Sequence, residues 1–387
     1  MVKPGVKRCV LHVAALSDEV ALPTLRRTAQ VIATEGVAQV LLALDDGFGP
    51  DAAWCAGPAA EVRRVRCAAL SLLGRARALQ AELAGLACER ILYAVHMHGV
   101  TACLVGWQAL RGSSLEGRVL YSPHWTPFRR SWGRMVFGHM LRAGLAPIHS
   151  AAALAGSITE AYALSRLLNR SVDVLPHAVS DVFFASPRTE TMPAPVVAGG
   201  SGAEAVDLIA RLCVLFNSRE PRLPFAWLGR ARRADALKLR AANVQVLDAA
   251  EDAETAQLLS RAGLYLHLSP HEHETHALAQ AMAAGVPCLV SDTLAHRAVV
   301  RHGETGYVCT SERDVVERMT VLLRNGGERK RLGEAARAEA ELRFTVRHFE
   351  TAVLRAYGFP ARKPARRGEI RLAASSAAVP RAAPLTF

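Results

Sequence analysis

Lysine is nearly absent from this 387-residue chain: of its 47 basic residues only Lys3, Lys7, Lys238, Lys330 and Lys363 are lysines, and none lies between Lys7 and Lys238. Between those two positions the positive side-chain charge is arginine, which suits bidentate phosphate or carboxylate contacts. The cysteines, Cys9, Cys55, Cys67, Cys88, Cys103, Cys213, Cys288 and Cys309, form no C-x-x-C pair and no compact framework. That excludes a disulfide scaffold and points to a reducing cytoplasm. No run approaches the roughly 18 apolar residues of a membrane span. The first apolar stretch, Cys9 to Leu16, contains His12 and has the length of a strand, not the form of a signal-peptide core. The expectation is a soluble or peripheral protein, cytoplasmic and able to sit on the inner face of the cell membrane.

What is present describes a folded chain. Hydrophobic residues make up 51% and charged residues 21%, too apolar for a largely disordered protein. At roughly 100–200 residues per domain, the length allows two domains and excludes a hormone or minimal binding module. The net charge of +12 favours anionic partners such as phosphates, acidic lipids or nucleic acid. Genomic base composition accounts for an arginine excess equally well.

Short apolar runs alternate with helical patterns: Val10–Leu16, Pro23–Glu35, Gln39–Leu44, then Arg90–Val95, Val100–Leu110 and Arg118–Ser122. This alternation predicts parallel strands covered by helices. A polar, proline-rich stretch from Ala185 to Pro195 interrupts it and reads as a linker, so the expected domains are 1–185 and 196–358, with 186–195 between them. The pattern resumes with Val196–Ala198, Ala203–Leu215, Phe225–Leu228, Val244–Leu247, Ala253–Arg261, Leu264–Leu268, Ala277–Ala284 and Pro287–Val290. A helical stretch, Asp314–Tyr357, is broken near Gly326-Gly327. Residues 359–387, rich in Ala, Pro and Arg, are expected to be disordered.

The informative segment is Ala262–Ser291, AGLYLHLSPHEHETHALAQAMAAGVPCLVS. A buried strand ends at Ser269, a polar loop follows, a helix opens near Thr275, and Gly285-Val286-Pro287 turns into the next strand. Ligands of open α/β sheets sit outside the carboxyl ends of strands, where a helix N-terminus offers free N–H groups to a phosphate. Glu272 and Gln280 are eight residues apart and can reach hydroxyls of one ligand.

The stretch Ser269-x-x-Glu272-x7-Gln280-Ala281-Met282-Ala283-Ala284-Gly285-Val286-Pro287, followed by Ser291-Asp292 and His302-Gly303-Glu304-Thr305-Gly306-Tyr307, resembles the C-terminal domain of the family 4 retaining glycosyltransferases. The chain is similar to that family in element order over residues 9–358. Further matches are Leu175-Pro176-His177-Ala178-Val179, where the family has a Pro-Asn-Gly turn, Gly156–Glu160 (GSITE), and Glu334–Tyr357, which resembles its closing helices. The resemblance implies the GT-B fold, an α/β architecture of two Rossmann-like, doubly wound domains facing each other across a cleft. It implies transfer of a sugar from a nucleotide-diphosphate donor, with retention, to a surface-polysaccharide, glycolipid or similar acceptor. Glu272 then contacts the donor sugar, Gln280 holds the ribose, and the N–H groups from Thr275 through His276 to Ala277 meet the diphosphate. No metal or other cofactor is needed, because preorganised positive groups stabilise the leaving diphosphate.

Several positions depart from the family pattern. Gln280 stands where the family usually has a carboxylate. Val196-Val197-Ala198-Gly199-Gly200-Ser201-Gly202-Ala203-Glu204 lacks the Gly-Arg and Lys that clamp the diphosphate, leaving Gly199 and Gly200 as backbone contacts and Arg230 as a substitute cation. Two charged hydrogen bonds at about 1.5–3 kcal/mol each are at stake. The first β-α turn is Ser17-Asp18-Glu19-Val20 where the family has Gly-Gly.

Among the histidines, His124 resembles one that lines the family's active site near the transferred sugar, and His98 is the second candidate. His96 and His98 end a strand on the expected cleft side, and ordinary loop histidines are the alternative. The cluster of His267, His271, His273 and His276 with Glu272 and Glu274 has metal-binding chemistry, but the resemblance accounts for that loop without metal. Phe128–Arg142 mixes basic and large apolar residues at helical spacing. It fits either a membrane-interface helix beside anionic lipid or a helix packed within the first domain. No nucleic-acid-binding signature accompanies the charge. Two functions follow: a glycosyltransferase, or a degenerate glycosyltransferase-like binding or partner subunit, motivated by Gly199–Glu204 and Gln280.

Overall fold

A computed structural model describes residues 8–18, 21–45, 47, 51–53, 57, 60–67, 71–110, 118–124, 152–189, 195–200, 203–220, 223–229, 231–248, 251–269 and 275–360. Two all-parallel sheets organise them. The first is built from β1 (Arg8–Ala15), β2 (Ala38–Asp45), β3 (Ala60–Arg66), β4 (Ile91–His98), β5 (Arg118–Ser122), β6 (Ala152–Ala155) and β7 (Asp173–Val174), in the order β3-β2-β1-β4-β5-β6-β7. The second contains β8 (Val196–Ala198), β9 (Phe225–Leu228), β10 (Val244–Leu247), β11 (Leu264–His267), β12 (Cys288–Ser291) and β13 (Gly306–Cys309), in the order β10-β9-β8-β11-β12-β13. The central strands read as near-continuous apolar runs because helices cover both faces of a parallel sheet.

Helices of the first half are α1 (Leu22–Ala33), α2 (Leu72–Glu89), α3 (Gly99–Leu110), α4 (Ile158–Leu168) and the short α5 (Asp181–Ala185). Those of the second are α6 (Ala203–Asn217), α7 (Arg233–Ala241), α8 (Asp252–Arg261), α9 (His276–Ala283), α10 (Leu294–Val299), α11 (Glu312–Arg324), α12 (Gly326–Arg343) and α13 (Val346–Tyr357). The expected break near Gly326-Gly327 falls between α11 and α12, and a second break at Phe344–Thr345 separates α12 from α13.

That second break sends the chain back to the first sheet. Phe349, Val353 and Tyr357 of α13 pack with Val10, Ile32, Ala94 and Leu120 in one buried cluster. At about 1.5–3 kcal/mol per fully buried large apolar side chain, these three residues tie the end of the fold to its beginning. Polar contacts fix the seat: Tyr93 Oη donates to Tyr357 O at 3.0 Å and Arg118 Nη1 to Ala356 O at 2.8 Å. The two chain crossings also bond to each other, since Val179 N–H donates to Phe344 O at 2.8 Å. Of the linker stretch, Arg188 Nη1 donates to Leu259 O at 3.1 Å and Thr189 N–H to Ser260 O at 3.0 Å, so its first part lies on α8.

Candidate active site

Strand ends of both sheets converge on the region between them. On the second sheet, β8 runs into Gly199-Gly200, and Gly199 N–H donates to Leu266 O at 3.0 Å. A Cβ on Gly199 would collide with the Tyr265 hydroxyl, and one on Gly200, whose φ is +135°, would stand 3.6 Å from Ser269 Cβ. Close approach of Tyr265 favours glycine at 199, and the positive φ favours it at 200. Ser291 Oγ donates to Ser269 O at 2.6 Å, and the buried His267 ring meets His296 edge-on at 5.0 Å. These contacts hold the β11 and β12 ends together.

Helix α9 opens just beyond, behind Thr275. The Thr275 side chain does not cap the helix; its Oγ1 hydrogen-bonds His177 Nε2 at 2.7 Å instead. The first N–H groups of α9, those of His276 and Ala277, thus have no side-chain cap among the described residues, which is the arrangement that receives an anion. His177 and His276 lie 5.5 Å apart, ring to ring. Burial, aided by the nearby Arg27 cation, lowers His177 to about 4; burial, then His177 and Arg27, lowers His276 to about 3. Both are neutral at pH 7 and serve as dipoles, not charges.

Arg27 is the cation that sequence reasoning missed. It lies mid-way along α1, donates to Ala178 O, and acts electrostatically on His177, His276 and Asp252. No local motif surrounds it, so only the fold brings it to the α9 side. On the same flank Gln280 Nε2 donates to Asp252 Oδ1 at 3.4 Å, at the start of α8. Gln280 therefore shares its surroundings with a carboxylate supplied by another helix.

The facing strand ends belong to the first sheet. Asp18, just past β1, accepts from the N–H groups of Val100 and Thr101 and so caps α3, while burial raises its pKa. Gly99, at φ +85°, leaves room for this carboxylate, and a Cβ there would collide with it. His124 follows β5 with φ +47°, a left-handed conformation that a histidine adopts at a cost and that marks functional positions. Its Nδ1 lies 3.8 Å from where a Cβ on Gly156 would be, so His124 and the β6 end touch. Burial lowers His124 to about 4, leaving a neutral ring for hydrogen bonding. Next to it, Ser157 and Glu160 form the start of α4: Glu160 N–H donates to Ser157 Oγ at 3.1 Å and Gly156 N–H to Glu160 Oε2 at 2.7 Å.

The sequence expectation puts His96 and His98 at the cleft; the structure puts both rings wholly in the core. They share the sheet face of His12, because His12 pairs with His96 and Ala14 with His98 in register. His12 Nδ1 lies 3.1 Å from His98 Nε2, and His12 Nε2 lies 3.0 Å from Gln39 Oε1. The Gln39 amide donates to Ala29 O at 3.0 Å. His12 Nε2 therefore carries the proton and its Nδ1 accepts from His98. His96 bonds Tyr357 Oη and Ser122 Oγ, each at 2.7 Å. Ring nitrogens of the three histidines lie within 4.8 Å of one another, a donor set that suits a late transition metal. Protein partners already occupy both nitrogens of His12 and of His96, so the set reads as a hydrogen-bonded core network. Through Tyr357 it also fastens α13.

Glu272 and Arg230 lie outside the described residues, as do His271, His273, Glu274 and the Phe128–Arg142 stretch. Thr275, His276, Ala277, Gln280, Gly199 and Gly200 are brought together around α9 and the β8 and β11 ends. His124 is across from them, with His98 behind it.

Comparison with known proteins agrees with this architecture. Residues 230–339 match the family model for group 1 glycosyl transferases. An N-acetyl-alpha-D-glucosaminyl L-malate synthase from Bacillus anthracis is 34% identical over 95 residues, 24% of this chain. The match spans a quarter of that relative's length. Among solved structures, HepE of Anabaena in complex with UDP and glucose superposes with a TM-score of 0.69 at 15% identity, covering 91% of this chain and 99% of that one. WaaG, a glycosyltransferase involved in lipopolysaccharide biosynthesis, gives a TM-score of 0.66 at 14% identity, covering 90% and 100%. The fold is GT-B: two Rossmann-like domains with parallel sheets. No helix among the described residues is long and apolar enough to cross a membrane.

Proposed function

We propose that the chain is a metal-independent, retaining family 4 glycosyltransferase that moves a sugar from a nucleoside-diphosphate donor to a surface-polysaccharide or glycolipid acceptor. The observation that carries this reading is the group 1 match over residues 230–339, which contains the uncapped start of α9 beside Gly199-Gly200. UDP bound to HepE and the lipopolysaccharide role of WaaG support the donor and acceptor classes. In this reading the diphosphate lies on the N–H groups of His276 and Ala277. Arg27, with Arg230, supplies charge that the Gly199–Glu204 segment lacks. Gln280, backed by Asp252, holds the ribose. Glu272 and His124 contact the transferred sugar, with His98 positioning behind His124. The reacting centre then needs no ion, because fixed dipoles and arginine meet the charge that develops on the leaving diphosphate. The proposed domains are 1–185 and 196–358, with α13 of the second crossing back to pack on the first sheet, and the proposed location is the cytoplasmic side of the membrane.

Transfer from a panel of nucleotide sugars to lipid-linked and soluble glycan acceptors, comparing the natural chain with Glu272→Ala, tests the assignment. Loss of about 100-fold or more in turnover with unchanged thermal stability is expected, the scale of removing a group that meets transition-state charge. Unchanged turnover refutes the role of Glu272. A second reading, a binding or partner subunit without transfer activity, is favoured by the neutral His177 and His276 beside α9. It predicts nucleotide binding with no turnover in either protein.

A further inference from the structure

A cavity of about 600 Å³ opens between the two halves of the molecule, beside the proposed reaction centre, where Thr275 and His177 form part of its lining. Its walls carry three arginines and two histidines, Arg343, Arg347, Arg355, His177 and His348, and, among the described residues, no aspartate or glutamate. Arg343 is already used: it pairs with Glu339 at 3.1 Å, donates to Ala298 O at 2.8 Å and stacks on Phe344. Arg347 and Arg355 are different. They are exposed, two helical turns apart on one face of α13 with Thr351 between them, and neither guanidinium has a hydrogen-bond or ion-pair partner among the described residues. Glu350 faces the other way, into a separate cavity with Arg27 and Asp252.

Apolar surface lies at the same opening. Ile158 is 54% exposed and Leu342 is 70% exposed, and both line the cavity. Tyr162, 62% exposed and one turn along α4 from Ile158, extends that face. Exposed large apolar side chains grouped beside unpaired arginines need a ligand with both characters to remove them from water. A free phosphate leaves the apolar rim uncovered, and an uncharged amphiphile leaves two guanidinium groups unmatched.

We infer that this cavity binds a phosphate-bearing amphiphile, with the phosphate on Arg347 and Arg355 and the apolar chain across Ile158 and Leu342. The inference deepens the proposed function and rests on it, since it names the acceptor as phospholipid-like and places it next to Thr275. Calorimetric titration of the full chain with dihexanoyl phosphatidic acid, kept monomeric, is compared with inorganic phosphate and with an uncharged octyl glycoside. The phosphatidate binds at least about tenfold more tightly than either, and Arg347→Glu with Arg355→Glu costs a further factor of about ten or more, as expected for charge-assisted contacts. Ile158→Ser with Leu342→Ser weakens the phosphatidate and leaves phosphate unchanged. The inference is overturned if the arginine reversals leave phosphatidate binding intact, if phosphate alone binds as tightly, or if the glycoside does. Nucleoside-diphosphate binding by the same variants is the control: its retention shows that the fold and donor side are sound. Its absence from the natural chain instead defeats the transferase reading, while the cavity stands or falls on its own titration.

Discussion

Lowering the pH from about 7 to about 4.5 removes several kcal/mol of folding stability. Burial holds His12 at about 4, against 6.5 for a free imidazole. Below 6.5 the unfolded chain takes up a proton that the folded chain refuses until about 4. More protons are bound in the unfolded state, so stability rises with pH, the loss spans pH 6.5 to about 4, and it levels off below. His12 alone accounts for about 3 kcal/mol. Burial lowers His96 and His98 well below their usual range in the same direction, with neighbouring imidazoles adding to the effect. Asp18 acts oppositely, since its raised pKa stabilises the fold as pH falls, but it is one group against several. Urea midpoints measured across this window should fall steadily, and His12→Asn should flatten the slope. A midpoint that does not move between pH 7 and 4.5 contradicts a neutral buried network.

Gly333→Ala destabilises the protein by about 2 kcal/mol or more, although alanine is the better helix former by up to about 1 kcal/mol. Gly333 is buried within α12, and a Cβ there would collide with the Gly285 carbonyl oxygen and lie 3.1 Å from its carbon. That carbonyl has nowhere to go. Gly285, at φ +72°, donates to Met282 O at 2.9 Å, Val286 N–H donates to Ala281 O at 3.0 Å, and Pro287 follows. Because this turn ends α9, the substitution also disturbs the helix that carries the proposed diphosphate site. A chemical-denaturation midpoint at or above that of the natural chain would show that the α9–α12 approach is not close.

Much of the fold is legible in the sequence because apolar runs and helical periodicity are local signals. Val10–Leu16, Gln39–Leu44, Phe225–Leu228, Val244–Leu247 and Leu264–Leu268 all fall on strands. β3 escaped because its sequence, AEVRRVR, spends three arginines and a glutamate on a partly exposed edge strand. α13 reads correctly as a helix, but nothing in its residues says which sheet its apolar face covers; that is decided by the break at Phe344–Thr345. The site was legible in the same uneven way. Gly199, Gly200, Thr275 and Gln280 sit at strand ends and a helix start that a motif can mark. Arg27 reaches His177, His276 and Asp252 from α1, and the inward turn of His96 and His98 depends on which face of β4 meets α13. Long-range packing decides both.

The central claim is that α9 and the glycines beside it hold a nucleoside diphosphate. Uridine, guanosine and adenosine diphosphates, each titrated into the folded chain while thermal unfolding is followed, test it most directly. One of them should stabilise the protein by about 2.7 kcal/mol at about 100 times its dissociation constant, and Arg27→Ala should raise that constant. If none of the three moves the unfolding transition, the donor site proposed at Thr275–Gln280 is wrong.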